Sequence, residues 1–456
     1  MNADKPAAFP VSVHRRKLIQ QGAALAGTSL LPFAPRVLAQ GGGNQPYKGT
    51  TINVSCWSAT YPKLIQEYLP DFEAQTGIKV NYDLPGFPVF NQRADLELSV
   101  KGSSYDVLNL TFIYIARWIG AGWFTPLSQF INDPKHTPAD FDYKDLLPAA
   151  VSTLSDSKGE PYAIPWTADA QIMAAARGDL LDEAGLKFPG TLDEFSNVLK
   201  VLKAKGGPAP FATENVYHWT YVPFLYAMGG KVFRGAPGDL FPLLNSPEAI
   251  ASADYFASIM QNYAPDGVMS YNFDQVIASQ KQSKTNLSIL NHAYLTALGQ
   301  GDSPVAKTVR YGWVPGGKAG RFPQVAVHGW GIPVGSKKKE AAWEFIKWSM
   351  SKSLLQRMLK EKGYAALTRA STLETPQFKS AMMVNGQDLG KLYLDVVDSS
   401  KDGHMAYRTV HVFPQTGQQI NKAIGAIISK QMTAKDAMNL AQENLLADLK
   451  RAGVKV

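Results

Sequence analysis

Between residues 52 and 110 the chain switches repeatedly between two hydrophobic periods, and this alternation limits the architectures open to it. Ile52, Val54 and Cys56 alternate with Asn53 and Ser55, the period of two that a half-buried strand requires. Pro62 then suits a first helical turn, Ile65, Tyr68, Leu69 and Phe72 fall at i, i+3, i+4 and i+7, and Gly77 supplies a C-terminal stop. Residues 78–82 alternate again, and after a further helical stretch residues 105–110 give a third, mostly apolar strand. Parallel neighbours need a long crossover between them, so strand, helix, strand, helix, strand implies a parallel sheet with covering helices. Open sheets of this kind bind ligands beyond the carboxyl ends of their strands. Those ends are Trp57 and Ser58 after the first strand, and Thr111, Phe112, Ile113 and Tyr114 after the third.

A second region begins after residues 159–166. Thr191 and Glu194 form a capping box for a helix whose apolar face is Phe195, Val198, Leu199 and Leu202. Beyond it come the aromatic stretch Tyr217-His218-Trp219-Thr220-Tyr221, a helix over 246–263 and a strand over 287–291. A helix over 339–350 is expected to bury Ala341, Ala342, Phe345 and Trp348. The last helix opens at Thr433 and Asp436 and presents Ala437, Leu440, Ala441 and Leu445. No repeat of 20 to 50 residues is evident.

The first forty residues read as an export signal, with a basic start, a short apolar run from Gly22 to Phe33 and a small-residue exit. Arg15 and Arg16 followed by Lys17-Leu18-Ile19, with Arg36 near the exit, fit the twin-arginine type and its export machinery. Cleavage is expected near Ala39 and Gln40, which places the product in the periplasm and leaves residues 40–49 as a Gly-rich leader. No later segment is long and apolar enough to span a membrane. Removing residues 1–39 lowers the formal charge from +8 to about +4, and no dense basic run remains to suggest nucleic acid. Cys56 is the single cysteine, so the fold must rest on its core instead of on disulfides.

Motifs for chemistry are scarce. Residues 312–318 match the spacing of a phosphate-binding loop, but Ala319 follows where Ser or Thr is needed and Pro315 sits inside it. The histidines show no metal-ligand spacing, and no G-x-S-x-G elbow occurs. No cofactor, metal or catalytic residue is expected. What stands out is an excess of aromatic residues where strands end or Gly and Pro break the pattern: Trp57, Tyr114, Trp166, Tyr217, Trp219, Tyr221, Trp313 and Trp330. Aromatic faces suit the C–H faces of a sugar, while Asn, Asp, Arg and His beside them bond its hydroxyls. As a strand, residues 217, 219 and 221 would present their rings on one face as a stacking platform, whereas as a helix residues 217 and 221 would.

Several longer stretches resemble the extracellular solute-binding proteins of sugar-type ABC importers, the family that includes maltose-binding protein. These are the opening INVSCW…FEAQTGIKVNYD, then YDVLNLTFIYIARWIGAGWFTPLSQFI, GEPYAIPWTADAQIMAAARGDLLDEAGLKFPGTLDEF and HGWGIPVGSKKKEAAWEFIKWSMS. The similarity runs from about residue 50 to 450. It implies an α/β periplasmic-binding-protein-like fold, two lobes joined by crossing segments near 166–169, 311–313 and 364–369, with a ligand cleft between them. Lobe 1 would comprise 50–166 and 312–366, and lobe 2 would comprise 167–311 and 367–456. The implied ligand contacts are Trp57, Ser58, Thr111, Phe112 and Tyr114 from the first lobe's loops, with Asp169 accepting from hydroxyls. Asn215, Tyr217, His218 and Trp219 match the second lobe's ligand loop, and Asn291, His292 and Tyr294 its Asn-Gly-x-Trp segment. His328 and Trp330 stand at the Gly-rich turn, and Arg369 follows the last crossing. Two departures, His292 for the usual Gly and Tyr114 for the Arg of maltose binders, count against maltose itself. The implied function is capture of a carbohydrate or polyol by a monomer that delivers it to a membrane permease with its ATPase. An exported carbohydrate-active enzyme and a binder of phosphorylated or other non-sugar solutes are the alternatives.

Overall fold

The computed structural model describes residues 45–365 and 367–456, so the expected export signal and the start of the leader lie outside the described residues. Strands β1 (Thr51–Ser55), β2 (Lys79–Asp83) and β3 (Val107–Thr111) pair in parallel in the order β2-β1-β3. Between β1 and β2 the Thr60–Thr76 helix buries Tyr61, Ile65, Tyr68, Leu69 and Phe72. It stops at Gly77, whose φ of 70° is a left-handed conformation that glycine adopts without steric cost.

The strand that organises the rest is β4 (Ile164–Ala175), twelve residues long and buried throughout. Covered on both faces, it shows no alternation, and Ile164, Trp166, Ala168 and Ala170 are enclosed as fully as Ile172, Met173 and Ala174. After it come β5 (Ala209–Ala212), the separate hairpin of β6 (Phe233–Gly235) and β7 (Asp239–Pro242), β8 (Thr285–Asn291), β9 (Arg310–Gly312) and β10 (Val325–Gly331). The first part of β4, through Ala170, pairs antiparallel with β10, which itself lies antiparallel against β3. From Gln171 onward β4 pairs instead with β8 and then also with β9, and β5 continues in parallel beyond β8. A mixed sheet in the order β2-β1-β3-β10-β4-β8-β5 results, with helices packed on it. The fold class is α/β, as the alternation implies.

Helix signals in the sequence hold with local adjustments. Thr191 and Glu194 close a complete capping box on the Leu192–Lys205 helix, and Ser246 caps Pro247–Tyr263. On the Lys339–Ser349 helix Trp343 is the enclosed tryptophan, whereas Trp348 is half-buried beside Phe72 at 5.1 Å between ring centroids. On the Ala434–Arg451 helix Leu440 points outward at 46% exposure, because Met438, Ala441, Leu445 and Leu449 form the stripe that meets the core. The loop at 312–318 is packing: a Cβ on Gly317 would lie 2.3 Å from the Ala227 carbonyl oxygen.

Where β10 is squeezed between β3 and β4 its register with β4 shifts between His328 and Gly329. A Cβ on Gly329 would sit 2.4 Å from Leu154 Cδ1 and 2.7 Å from the Ile164 carbonyl oxygen. Backbone cannot yield cheaply in a central strand, so Gly329→Ala should cost about 1–3 kcal/mol by overpacking. Chemical denaturation checks this, and an unchanged midpoint would show that the strand relaxes freely.

Candidate functional site

The shared strand β4 positions the candidate site, because its middle carries Trp166, Thr167 and Asp169 where pairing passes from β10 to β8. Around Trp166 the ends of β1 and β3, the middle of β10 and the Thr60–Thr76 helix bring aromatic rings together. Trp57, just past β1, lies 4.3 Å from the His328 ring and 5.3 Å from Trp166 between centroids. Phe112, just past β3, lies 5.4 Å from His328. Tyr61 stacks on Trp166 at 5.0 Å and 7° between planes, and Trp166 donates to the Asn109 side chain at 3.1 Å. These are the strand carboxyl ends that sequence reasoning selected.

A second cluster is polar. Asp169 accepts from the Asn291 amide at 3.1 Å and from the Ala293 backbone N–H at 3.2 Å, with His292 Nδ1 2.9 Å away. Ala170 donates its backbone N–H to that same nitrogen at 3.2 Å. The His292 ring stacks on Tyr393 at 4.2 Å, and Tyr294 stacks on Phe273 at 4.3 Å. His292 and Tyr294 open onto a groove of about 490 Å³ whose other walls include Thr60, Leu64, Asp274 and Tyr364.

The third cluster joins the first to the far end of the chain. Arg408 lies over the Phe112 ring at 3.7 Å and over Trp219 at 4.9 Å, and Phe112 and Trp219 are 6.0 Å apart. Gln324 Oε1 accepts from Arg408 Nη1 at 2.7 Å and from the Tyr407 hydroxyl at 2.9 Å. His218 is held by Asn421, which accepts its backbone N–H at 2.8 Å and sits 3.2 Å from Nδ1.

Burial, followed by the Arg408 charge, lowers His218 to about 4 and His328 to about 3. Both rings are therefore neutral at pH 7, each able to donate from one nitrogen and accept at the other. Burial lowers Arg408 to about 10, which leaves it charged. Glu214 moves the other way, to about 7, through burial and then repulsion from Asp169. Several buried polar atoms without a hydrogen-bond partner among the described residues lie here, namely Trp219 Nε1, Asn291 Oδ1, His292 Nε2, His328 Nδ1, Asn109 Nδ2 and Arg408 Nη2, while others, such as Trp330 Nε1 and Arg369 Nη2, lie outside the three clusters. Each such atom costs roughly 1–3 kcal/mol if left dry, a penalty that a hydroxylated ligand would remove.

Other expected contacts lie elsewhere. Residues 217–220 form one helical turn instead of a strand, so the ring platform is not built. Tyr217 turns edge-on to Phe256 at 6.2 Å, and Tyr221 bonds Ser252 in the core at 2.8 Å, so of the three rings only Trp219 joins the aromatic group. Asn215 is exposed and donates to the Met269 carbonyl, while Glu214 beside it feels the Asp169 charge. Tyr114 stacks on Trp118 at 5.0 Å, away from the clusters. Ser58 is half-buried and donates its backbone N–H to Pro85 O, and Thr111 is enclosed opposite His328 in the ladder. Trp330 is enclosed among Tyr61, Trp166 and Phe345. Arg369 donates to the Met350 and Asp142 carbonyls, meets Asp145 at 3.4 Å and stacks on Phe141, although its Nη2, like that of Arg408, has no partner among the described residues. Among the described residues no three or more His, Cys, Asp or Glu side chains gather as a metal site.

Residues 58–353 match the model of the bacterial extracellular solute-binding proteins. The chain belongs to that family. A mannitol-binding protein of Pseudomonas aeruginosa is 25% identical over 390 residues, covering 80% of this chain and 85% of the relative. A solute-binding protein of Agrobacterium vitis solved with bound D-mannitol superimposes with a TM-score of 0.78 at 24% identity, over 89% of this chain and 99% of the other. One of Agrobacterium radiobacter, in complex with ribitol, gives 0.78 at 20% identity, over 88% and 98%. These likenesses place the α/β fold among ABC-transporter solute-binding proteins.

The shifted groups make stability depend on pH with opposite signs. Glu214 keeps its proton in the folded state to about 7 against 4.5 unfolded, so its contribution falls as pH rises through that window. His218 and His328, held below 6.5, lose stability as pH falls from 6.5 toward about 4 and about 3. Glu214→Gln should therefore gain thermal stability relative to wild type between pH 4.5 and 7, then level off. A melting-temperature difference that stays flat across that range would remove Glu214 from the buried acidic pair.

Proposed function

We propose that this protein captures an acyclic polyol, or a closely similar small carbohydrate, in the space around Asp169, His292, His328 and Trp219, and releases it to an ABC importer without chemical change. The observation that carries this reading is the set of buried polar atoms without partners among aromatic faces. It mixes donors, such as Trp219 Nε1 and Asn109 Nδ2, with an acceptor, Asn291 Oδ1. A polyol hydroxyl donates and accepts together, so a chain of hydroxyls can answer both kinds where an apolar or purely anionic solute cannot. The mannitol-binding relative and the D-mannitol and ribitol complexes point the same way.

In this reading residues 50–166 with 312–366 form one lobe and residues 167–311 with 367–456 the other. The chain crosses between them near 166–169, 311–313 and 364–369. The first crossing is the middle of β4, and Phe112 against Trp219 and Arg408 is a contact across the cleft. Ligand bound to both lobes shifts the population toward the closed form by its preference for that form. The closed protein then docks on a membrane permease whose ATPase supplies the work. Export before folding is complete or after it, by general secretion or the twin-arginine route, delivers the protein to the periplasm.

A thermal-shift panel of D-mannitol, ribitol, erythritol, maltose and sugar phosphates tests the class. A ligand at 100 times its Kd should stabilise the protein by about 2.7 kcal/mol. One saturable response among the polyols is expected, and silence from all of them beside a response to a phosphate would overturn the reading. Trp219→Ala should weaken the responding polyol at least tenfold in calorimetry with the fold retained. An unchanged affinity would remove Trp219 from the contact surface.

A further inference from the structure

Arg408 is as enclosed as a core residue, at 3% exposure, yet no carboxylate among the described residues pairs with it. Nη1 donates to Gln324 Oε1 at 2.7 Å, with Met405 Sδ at 3.4 Å, and Nη2 has no partner. The Phe112 and Trp219 faces stabilise the cation but leave its charge uncompensated. Arg369 differs in charge compensation: its Nη2 is likewise without a partner, but Asp145 lies 3.4 Å from Nη1 and two carbonyls accept from the guanidinium. A buried cation is costly unless something anionic reaches it, and the groups around Arg408, which are Gln324, Met405, Tyr407, His218 and His328, are neutral at pH 7.

The negative charge of the site lies apart. Asp169 is engaged by Asn291, His292 and Ala293, whereas Arg408 is engaged by Gln324, Phe112 and Trp219, and the two sets share no member. The site is thus polarised, with a cationic end at Phe112, Trp219 and Arg408 and an acidic end at Asp169.

We propose that Arg408 is a ligand-binding residue and that the cleft accepts aldonates, polyols oxidised at one end, with the carboxylate on Nη2 and the hydroxyl chain running toward Asp169. This rests on the polyol reading of the same cleft. A hydroxyl would fill the hydrogen-bonding capacity of Nη2, but only an anion also offsets the charge, through a charge-assisted bond about twice as strong. The hydroxyl chain remains necessary, since the carbonyl of Asn291 needs a donor that a simple carboxylate lacks.

D-Mannitol and D-mannonate share a carbon skeleton and differ at one end, so calorimetry with both, on the full-length protein and on Arg408→Gln, isolates the carboxylate. Wild type is expected to bind mannonate at least as tightly as mannitol. Arg408→Gln should lose at least 100-fold for mannonate and no more than tenfold for mannitol. Arg408→Lys, which keeps the charge, should hold mannonate within tenfold of wild type and serves where the glutamine variant does not fold. Wild type that binds mannitol and rejects mannonate overturns the inference and leaves the polyol reading intact, as does an equal loss for both ligands in Arg408→Gln. Binding of neither ligand by folded wild type overturns both.

Discussion

Everything in this molecule hangs on one strand being shared. The twelve residues of β4 pair first with β10 and then with β8 and β9, so a single run of backbone hydrogen bonds ties two differently wound parts of the sheet together. A strand covered on both faces must be apolar nearly throughout, and the small residues Ala168, Ala170, Ala174 and Ala175 let neighbours approach it closely. The exceptions, Thr167, Asp169 and Gln171, fall where the partner strand changes, and all three are bonded or face the candidate site. Polar residues tolerated at the middle of an otherwise apolar strand mark the place where burial serves something other than stability.

That place gathers its side chains from distant stretches, which explains the uneven legibility of the sequence. Strand and helix periods over residues 52–110 were readable because each depends on neighbours within one element. The capping box at Thr191 and the stops at Gly77 were readable for the same reason, since a cap is satisfied locally. The carboxyl ends of β1 and β3 gave Trp57 and Phe112 from topology alone. The helix at 434–451 shows the limit: its period was visible, but whether Leu440 or Met438 faces inward depends on which helix it meets.

The aromatic stretch at 217–221 failed as a ladder because ring content says nothing about backbone conformation. A turn of helix after β5 splays the rings, sending Tyr217 and Tyr221 toward Phe256 and only Trp219 toward Phe112. Arg408 and Glu214 left no mark at all. Arg408 meets Phe112 across nearly 300 residues of chain, a separation at which no spacing rule operates, and Glu214 gains its raised pKa only from burial near Asp169. Arg369 misled for the converse reason: an arginine beside a crossing segment looks like a ligand contact until the enclosing carbonyls are seen. A sequence reveals which residues are able to bind, whereas only the fold decides which of them are already satisfied.

Satisfaction separates function from structure here more sharply than burial does. Arg369 and Arg408 are both enclosed, both stack on aromatic rings, both leave Nη2 without a partner and both sit in the last ninety residues, yet the first has a carboxylate, Asp145, at 3.4 Å and the second has none among the described residues. Trp166 and Trp219 differ in the same way, one indole bonded to Asn109 and the other without a partner. Leaving such groups unpaired costs stability, and under the proposed function the protein carries that cost when empty and recovers it when it closes around a solute. The difference between the two states is then the binding energy itself. A cleft fully satisfied by its own side chains would close without ligand and have no affinity left to offer.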